Sequence, residues 1–316
     1  MDKIIDLNAY PVRNLLKLLL KDKTTKQNII FATSVYSTDE NPIKETDQMT
    51  ETILRGFNSC EIQPRVLKSQ EQQQERTKAK AEVFTPCWIC NKMNNHCDEE
   101  WFGRTGIFNI ELENGWMVTN SPVPFEREGD WMKYIDSKRL EITCGEAPYI
   151  VSRYDAATGE LIEIRKRIGI LDRKLRVVNE NTDNEADWFK WVLRAYQSVY
   201  GYEFQGDNLL IARINLLVTF VDYMQDRWGR VPTDTELRKI ANVIVWNLWQ
   251  MDGMTGTVPF GKPEEQYHQY SLFDFVVADK ANDVERQPDK ECRIYDWRSD
   301  RSLTYRSIKE GYRNEV

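Results

Sequence analysis

The stretch RLEITCGEAPYIVSRYD, residues 139–155, decides how this chain is read. Its first five residues have the apolar alternation of a strand, and Cys144, Gly145 and Ala147 are small enough to let the backbone turn sharply toward a helix. In an open α/β sheet such an exit is where ligands sit, because several strand ends and helix starts converge there. A tight turn with no ligand has the same local signature, so the surrounding sequence has to decide.

Downstream, strand-like and helix-like pieces alternate. ADWFKWVLRAYQSVY, residues 186–200, places Trp188, Trp191, Val192 and Tyr196 on one helical face, which reads as core packing. The short strand VYGYEF at 199–204 is followed by a long apolar helix at 206–229. At Thr233 the sequence Thr-Asp-Thr-Glu predicts a capping box with Glu236, and the helix it opens passes into a strand-like VIVWNLWQMD at 243–252. Strands alternating with helices predict a parallel sheet covered on both faces.

Working outward, the first seventy-odd residues read as mainly helical, with Pro11 near the start of a helix whose apolar face is supplied by Leu15, Leu16, Leu18, Leu19 and Leu20. NIIFATSVY at 28–36 fits a short strand or a second helix equally well. Residues 68–86 begin as a polar helix suited to exposure and end at Pro86, which holds Thr85 extended. Residues 101–134 read as a β-rich insertion with a hairpin turn at Glu113, Asn114 and Gly115. Beyond Gly253 the chain is polar, with edge strands at 271–279 and at 292–307, the latter pair resembling a hairpin. The expected organisation is an N-terminal region over 1–80, a cofactor domain over 81–260 that carries the insertion, and a β-rich extension over 261–316.

A net charge of −7 argues against non-specific coating of nucleic acid, which needs a basic surface. Two stretches could still line a local basic groove: residues 65–80, with Arg65, Lys68, Arg76, Lys78 and Lys80, and residues 165–176, whose six basic residues face only Asp172. Solvated helix and turn faces are the plainer account of each. No signal peptide is evident, and no apolar run reaches the roughly 18 residues that crossing a bilayer needs, so the expectation is a cytoplasmic protein with no membrane association. Six cysteines then read as reduced thiols. Cys87, Cys90, His96 and Cys97 superficially offer four zinc ligands, but His96 and Cys97 are adjacent and the segment starts a helix, so buried thiols and no metal are expected.

Three strand exits carry candidate chemistry. In LEITCGEAPY, Gly145 and Ala147 allow close backbone approach and Glu141 could fix a charged end. Glu203, after VYGY, could take both hydroxyls of a ribose on its two acceptor oxygens. Asp252 could accept from the exocyclic amine of a purine. Each has a bland alternative as turn, helix cap or turn signal; their order, one acid per successive exit, is what would lay a nucleoside across neighbouring strands.

These residues carry a resemblance. AEVFTP, LEITCGEAPYI, YGYEFQGDNLLIARINLL and WQMD, between residues 82 and 252, are similar to the motif series of adenine-N6 DNA methyltransferases, the modification subunits of restriction-modification systems. The resemblance implies a Rossmann-like methyltransferase sheet binding S-adenosylmethionine. Phe84, Thr85 and Pro86 would close over the cofactor, Glu141, Cys144, Gly145 and Ala147 would form its loop, Glu203 would bind ribose and Asp252 adenine. It also implies DNA as substrate and a specificity or restriction subunit as partner. Thr143 stands where the family has proline, and Ala147 replaces its second glycine. No [DNS]-P-P-[YFW] tetrad, which would hold a flipped target base, follows Asp252; TVPFGKP is the nearest sequence. WMVTNSPVPF offers a degenerate substitute in which Asn120 would accept from the target amine and Phe125 would stack, though a turn of the β-insertion explains it better. The expectation is an S-adenosylmethionine-binding methyltransferase-like protein, active or degenerate. The alternative is a non-enzymatic nucleic-acid-binding or assembly subunit on the same scaffold. A nuclease lacks a recognisable metal-binding carboxylate core.

Overall fold

The structure is a computed structural model and describes residues 4–39, 41–57, 59–80, 85–261 and 291–308. At its centre is a parallel sheet of β3 (Arg139–Ile142), β4 (Val199–Glu203) and β5 (Leu248–Gln250), ordered β3-β4-β5. Arg139 pairs with Val199 and Gly201 with Leu248, so the three strands end side by side. The connection from β3 to β4 carries α6 (Ile170–Asn181) and α7 (Glu185–Gln197), and that from β4 to β5 carries α8 (Gly206–Trp228) and α9 (Asp234–Asn247). The protein is therefore mixed α/β, as the alternation predicts.

Pleating sorts the strand residues between two cores. Val199 and Leu248 face the main core with α1 (Val12–Leu19), α8 and α9. Tyr200, Tyr202 and Trp249 face the other way and meet Cys292 and Ile294. Ile294 belongs to the antiparallel hairpin β6 (Arg293–Asp296) and β7 (Arg301–Thr304), the hairpin expected near the end of the chain. The capping box at Thr233 also forms: Glu236 N–H donates to Thr233 Oγ1 at 3.3 Å, and Thr233 N–H to Glu236 Oε2 at 2.7 Å. Buried Arg213 on α8 donates from Nε and Nη2 to the Leu248 carbonyl at 3.0 and 2.7 Å and from Nη1 to that of Lys21 at 3.0 Å, joining β5 to the end of α1.

Several expectations need correcting. Residues 243–252 do not form one long strand: α9 runs through Asn247 and β5 holds three residues, because Val243, Ile244 and Val245 are buried among helices. The N-terminal region is not mainly helical. Besides α1 it has α2 (Glu51–Arg55) and α3 (Gln70–Lys80), while residues 20–50 are irregular with isolated bridges such as Ile30 to Gln48. NIIFATSVY is neither strand nor helix; Gly206 N–H donates to the Phe31 carbonyl at 3.0 Å, and the Gln250 amide both donates to and accepts from the Ile30 backbone. The insertion holds one hairpin, β1 (Asn109–Leu112) with β2 (Gly115–Val118), turning where expected, followed by the helix α5 (Asp130–Asp136). The proposed strand at 271–279 lies outside the described residues. No helix among the described residues is long and apolar enough to cross a membrane.

Candidate functional site

Glu141, the turn after it, Glu203 and Asp252 do come to neighbouring strand ends, and hydrogen bonds join the first two exits. Gly145 and Ala147 both adopt left-handed backbone, φ +53° and +64°, so the chain doubles back within four residues. Glycine accommodates this readily, whereas Ala147 is a strained position for an L side chain. Ala147 N–H closes the turn onto the Cys144 carbonyl at 2.6 Å. Gly201 of β4 lies underneath, where an added Cβ would meet Cys144 Cβ at 3.0 Å, so a side chain there would press against the loop.

Glu203 holds the exits together. Its Oε2 accepts from Gly145 N–H at 2.9 Å and its Oε1 from Gln205 N–H at 3.0 Å, while Met251 N–H donates to its carbonyl at 3.0 Å. The predicted ribose acid is thus also the brace between the first and second turns. Glu141 serves a similar purpose one strand away, accepting from Ile150 N–H at 3.1 Å and Tyr149 N–H at 3.4 Å. Burial drives its carboxyl well above the usual carboxylate range against the pull of those two donors, and the Glu203 charge adds to the rise. Burial likewise pushes the Cys144 thiol well up, so it packs as an apolar group. Asp252, half-buried, accepts from Met254 N–H at 2.8 Å in a compact turn. Beside Glu203, the Phe204 and Phe260 rings meet edge to face at 5.5 Å between centroids, an aromatic wall the sequence reading passed over.

Thr85 and Pro86 stand at the start of α4 (Cys87–Phe102), where Cys87 N–H donates to Asp155 Oδ2 at 3.0 Å and Cys90 Sγ to the Thr85 carbonyl at 3.7 Å. Phe84 lies outside the described residues. The four would-be zinc ligands do not converge: Cys87 and Cys90 point into the protein, and exposed His96 pairs with Glu100. Burial pushes the Cys87 thiol up to about 12, with Asp155 adding to it. No cluster of three metal-binding side chains occurs among the described residues.

Asn120 and Phe125 are not brought to the exits. Phe125 packs against Trp101 and Phe102 at 6.1 and 5.5 Å between ring centroids, in the core formed by the insertion. Asn120 lines a separate cavity of about 380 Å³ with Arg165, Arg176 and Tyr223.

The sequence reading missed the residues that clamp the exits from the N-terminal side. Asp207, in the first turn of α8, is fully buried, and its Oδ2 accepts from Tyr36 Oη at 2.8 Å, Lys68 Nζ at 3.1 Å and Arg76 Nη1 at 2.8 Å. Arg76 Nη2 completes a fork to Oδ1 at 3.2 Å. Burial alone would raise the Asp207 carboxyl, but Lys68, Arg76 and Tyr36 outweigh it and hold it well below the usual range. Glu146, inside the turn itself, accepts from Arg65 N–H at 2.7 Å and from Tyr154 Oη, and Asn215 Nδ2 donates to its carbonyl at 3.0 Å. The only sequence signals were the acid opening a helix at 207 and the density of cations at 65–76.

The site therefore offers a rigid double-bent backbone, a carboxylate bracing two turns, a half-buried acid at the third exit and an adjacent aromatic pair. Compared with known proteins, the chain matches no family model, no curated protein and no solved structure.

Proposed function

We propose that the chain binds S-adenosylmethionine across the carboxyl ends of β3, β4 and β5, as a protein of the DNA adenine-N6 methyltransferase type acting in the cytoplasm with DNA and a specificity or restriction subunit. The observation that carries this reading is the hydrogen bond from Gly145 N–H to Glu203 Oε2 at 2.9 Å, which makes the small-residue turn and the acid of the next strand one unit. A carboxylate oxygen accepts more than one hydrogen bond, so a ribose hydroxyl can share Glu203 with the backbone donors. The turn backbone would receive the methionine portion, Asp252 the adenine amine, and Phe204 with Phe260 the ring face. Thr85 and Pro86, with Phe84, would form the near wall.

A second reading, a scaffold that has lost methyl transfer, is favoured by one feature of the whole sequence: it contains no Pro-Pro pair. Moving a methyl group to a weakly nucleophilic exocyclic amine requires that amine to be oriented and its lone pair freed. The residues needed for that are not recognisable in this chain.

Calorimetric titration with S-adenosylmethionine tests the cofactor assignment. Binding with a dissociation constant of order 1 µM is expected, together with about 2.7 kcal/mol of added stability at hundredfold excess over it. Glu203→Gln, which keeps the size of the side chain but sacrifices an acceptor, should weaken binding at least tenfold. Absence of heat and of thermal stabilisation at millimolar ligand, in a folded preparation, would sink the assignment.

A further inference from the structure

Among the described residues no strand pairs with the outer edge of β3. Arg139 N–H bonds at 2.9 Å to the carbonyl of Ser198, the residue before β4, and in a parallel ladder alternate residues face the same neighbour. The backbone donors and acceptors of Leu140 and Ile142 are therefore turned outward. Their side chains are apolar yet 43% and 65% exposed, on the sheet face that elsewhere buries Tyr200 and Trp249. This breaks the usual rule that parallel strands are covered, and native proteins usually charge or cap such an edge. Neither Leu140 nor Ile142 does so.

Directly beside this edge runs a groove of about 470 Å³ whose lining includes Leu140, Tyr200, Trp249, Ile294, Tyr305 and Ile308. A strand laid along β3 would bond to the outward backbone groups at 140 and 142 and project every second side chain into this groove. The groove also meets Lys138 and Arg139, with only Asp296 of opposite sign, paired to Lys138 at 3.0 Å. The charge at this end favours an acidic residue flanking the incoming apolar strand. A second copy of the chain is the poorer occupant. Its own β3 is flanked by the same basic pair, and the face it would bring to the groove carries Leu140 and Ile142 and no acid, since Glu141 is turned into the protein.

We propose that the open edge of β3 and its groove seat an apolar β-strand, flanked by acidic residues, from a different polypeptide. Docked parallel to β3, that strand would end beside the turn at Cys144–Ala147. A partner could then place its own side chains at the candidate site, including those for base orientation that are not recognisable in this chain. The docking itself needs no cofactor, so it stands or falls separately from the S-adenosylmethionine reading.

The probe is a fluorescein-labelled heptapeptide of alternating valine and threonine with aspartate at each end, titrated into the full chain and followed by anisotropy. Saturable binding is expected, weakened at least tenfold by Ile142→Asp and by N-methylation of the peptide amides along one edge. Amide exchange should slow at residues 140–142 when the peptide is bound. Because Ile142 is largely exposed, the variant should keep the wild-type unfolding midpoint, and a variant that does not is replaced by Ile142→Thr. The proposal is overturned by no binding at millimolar peptide, by binding indifferent to N-methylation, or by a mass that doubles with concentration and reverts in Ile142→Asp. That last result would assign the edge to a second copy. Calorimetry with S-adenosylmethionine on the same preparation separates the two ideas, since either ligand can bind without the other.

Discussion

The two basic stretches, 65–80 and 165–176, look alike in sequence and meet different partners in the structure. The sequence reads both as solvated faces or a local basic groove, whereas Arg65, Lys68, Arg76, Arg173 and Lys174 are all buried. Lys68 and Arg76 converge on a single buried carboxylate beside the strand exits. In the second stretch, Arg173 pairs with Asp98 and Asn91, while fully buried Lys174 meets no carboxylate among the described residues and donates instead to the Ile135 and Ser137 carbonyls and Ser198 Oγ at 2.9, 2.5 and 2.6 Å. The first stretch thus neutralises a charge at the candidate site. The second ties backbone behind it.

If this contrast holds, removing the shared acid should do the most damage. Asp207→Asn would remove the buried carboxylate charge that Lys68 and Arg76 share, a loss of about 3–5 kcal/mol visible as a large fall in the unfolding midpoint. The acid response gives an independent check. A carboxyl held below its ordinary value stabilises the fold above about pH 4, the unfolded value for aspartate, and that contribution is lost as pH falls further. Wild type should therefore lose stability steeply below about pH 4, and Asp207→Asn should lose that part of the slope. An unchanged midpoint in the variant would mean the cluster is not the clamp described.

Lys174→Met comes next in size. It removes a buried group whose charged form is disfavoured, chiefly by burial and then by Arg139, which offsets part of the damage. The Ser137 carbonyl loses its donor, however, and that of Ile135 keeps only Ser198 Oγ, so the expected cost is about 2–4 kcal/mol at neutral pH. Burial holds the Lys174 ammonium well below its usual range, so wild type should gain stability as pH rises toward the ordinary lysine value near 10.4, where the unfolded chain also gives up the proton. A flat profile between pH 8 and 10 would show that the lysine stays charged and that its acceptors suffice.

The parts of this fold legible in sequence are those fixed by neighbours along the chain. The capping box at Thr233, the hairpin turn at 113–115 and the alternation of strands and helices all depend on residues within a turn or two of each other. Burial of cations could not be read this way, because Arg76 meets Asp207 across 131 positions and Arg173 meets Asp98 across 75. The site shows the same division. Its turn and acids could be listed from sequence in the right order, but whether Glu203 presents its oxygens or spends them on Gly145 and Gln205 depends on how closely β3 and β4 approach. Gly201 sets that approach, and nothing in its local sequence distinguishes it from a turn glycine.

The smallest effect is expected where the second stretch does reach solvent. Arg165 and Lys166 are exposed, whereas Arg167 is spent on Asp222 at 2.7 Å and the Ile162 carbonyl at 3.2 Å. Replacing Arg165 and Lys166 together by serine should change stability by less than about 0.5 kcal/mol, as is usual for exposed positions. If this face touches DNA, the same pair should flatten the dependence of binding on salt by at most about 1.8 in log–log slope, two phosphate contacts' worth. Arg167→Gln should leave that slope alone while costing stability through the loss of its ion pair with half-buried Asp222. Were Arg167→Gln instead to flatten the slope with an unchanged unfolding midpoint, the residue would be a nucleic-acid contact. The inward-facing account of residues 165–176 would then fail at the point where it departs most from the sequence reading.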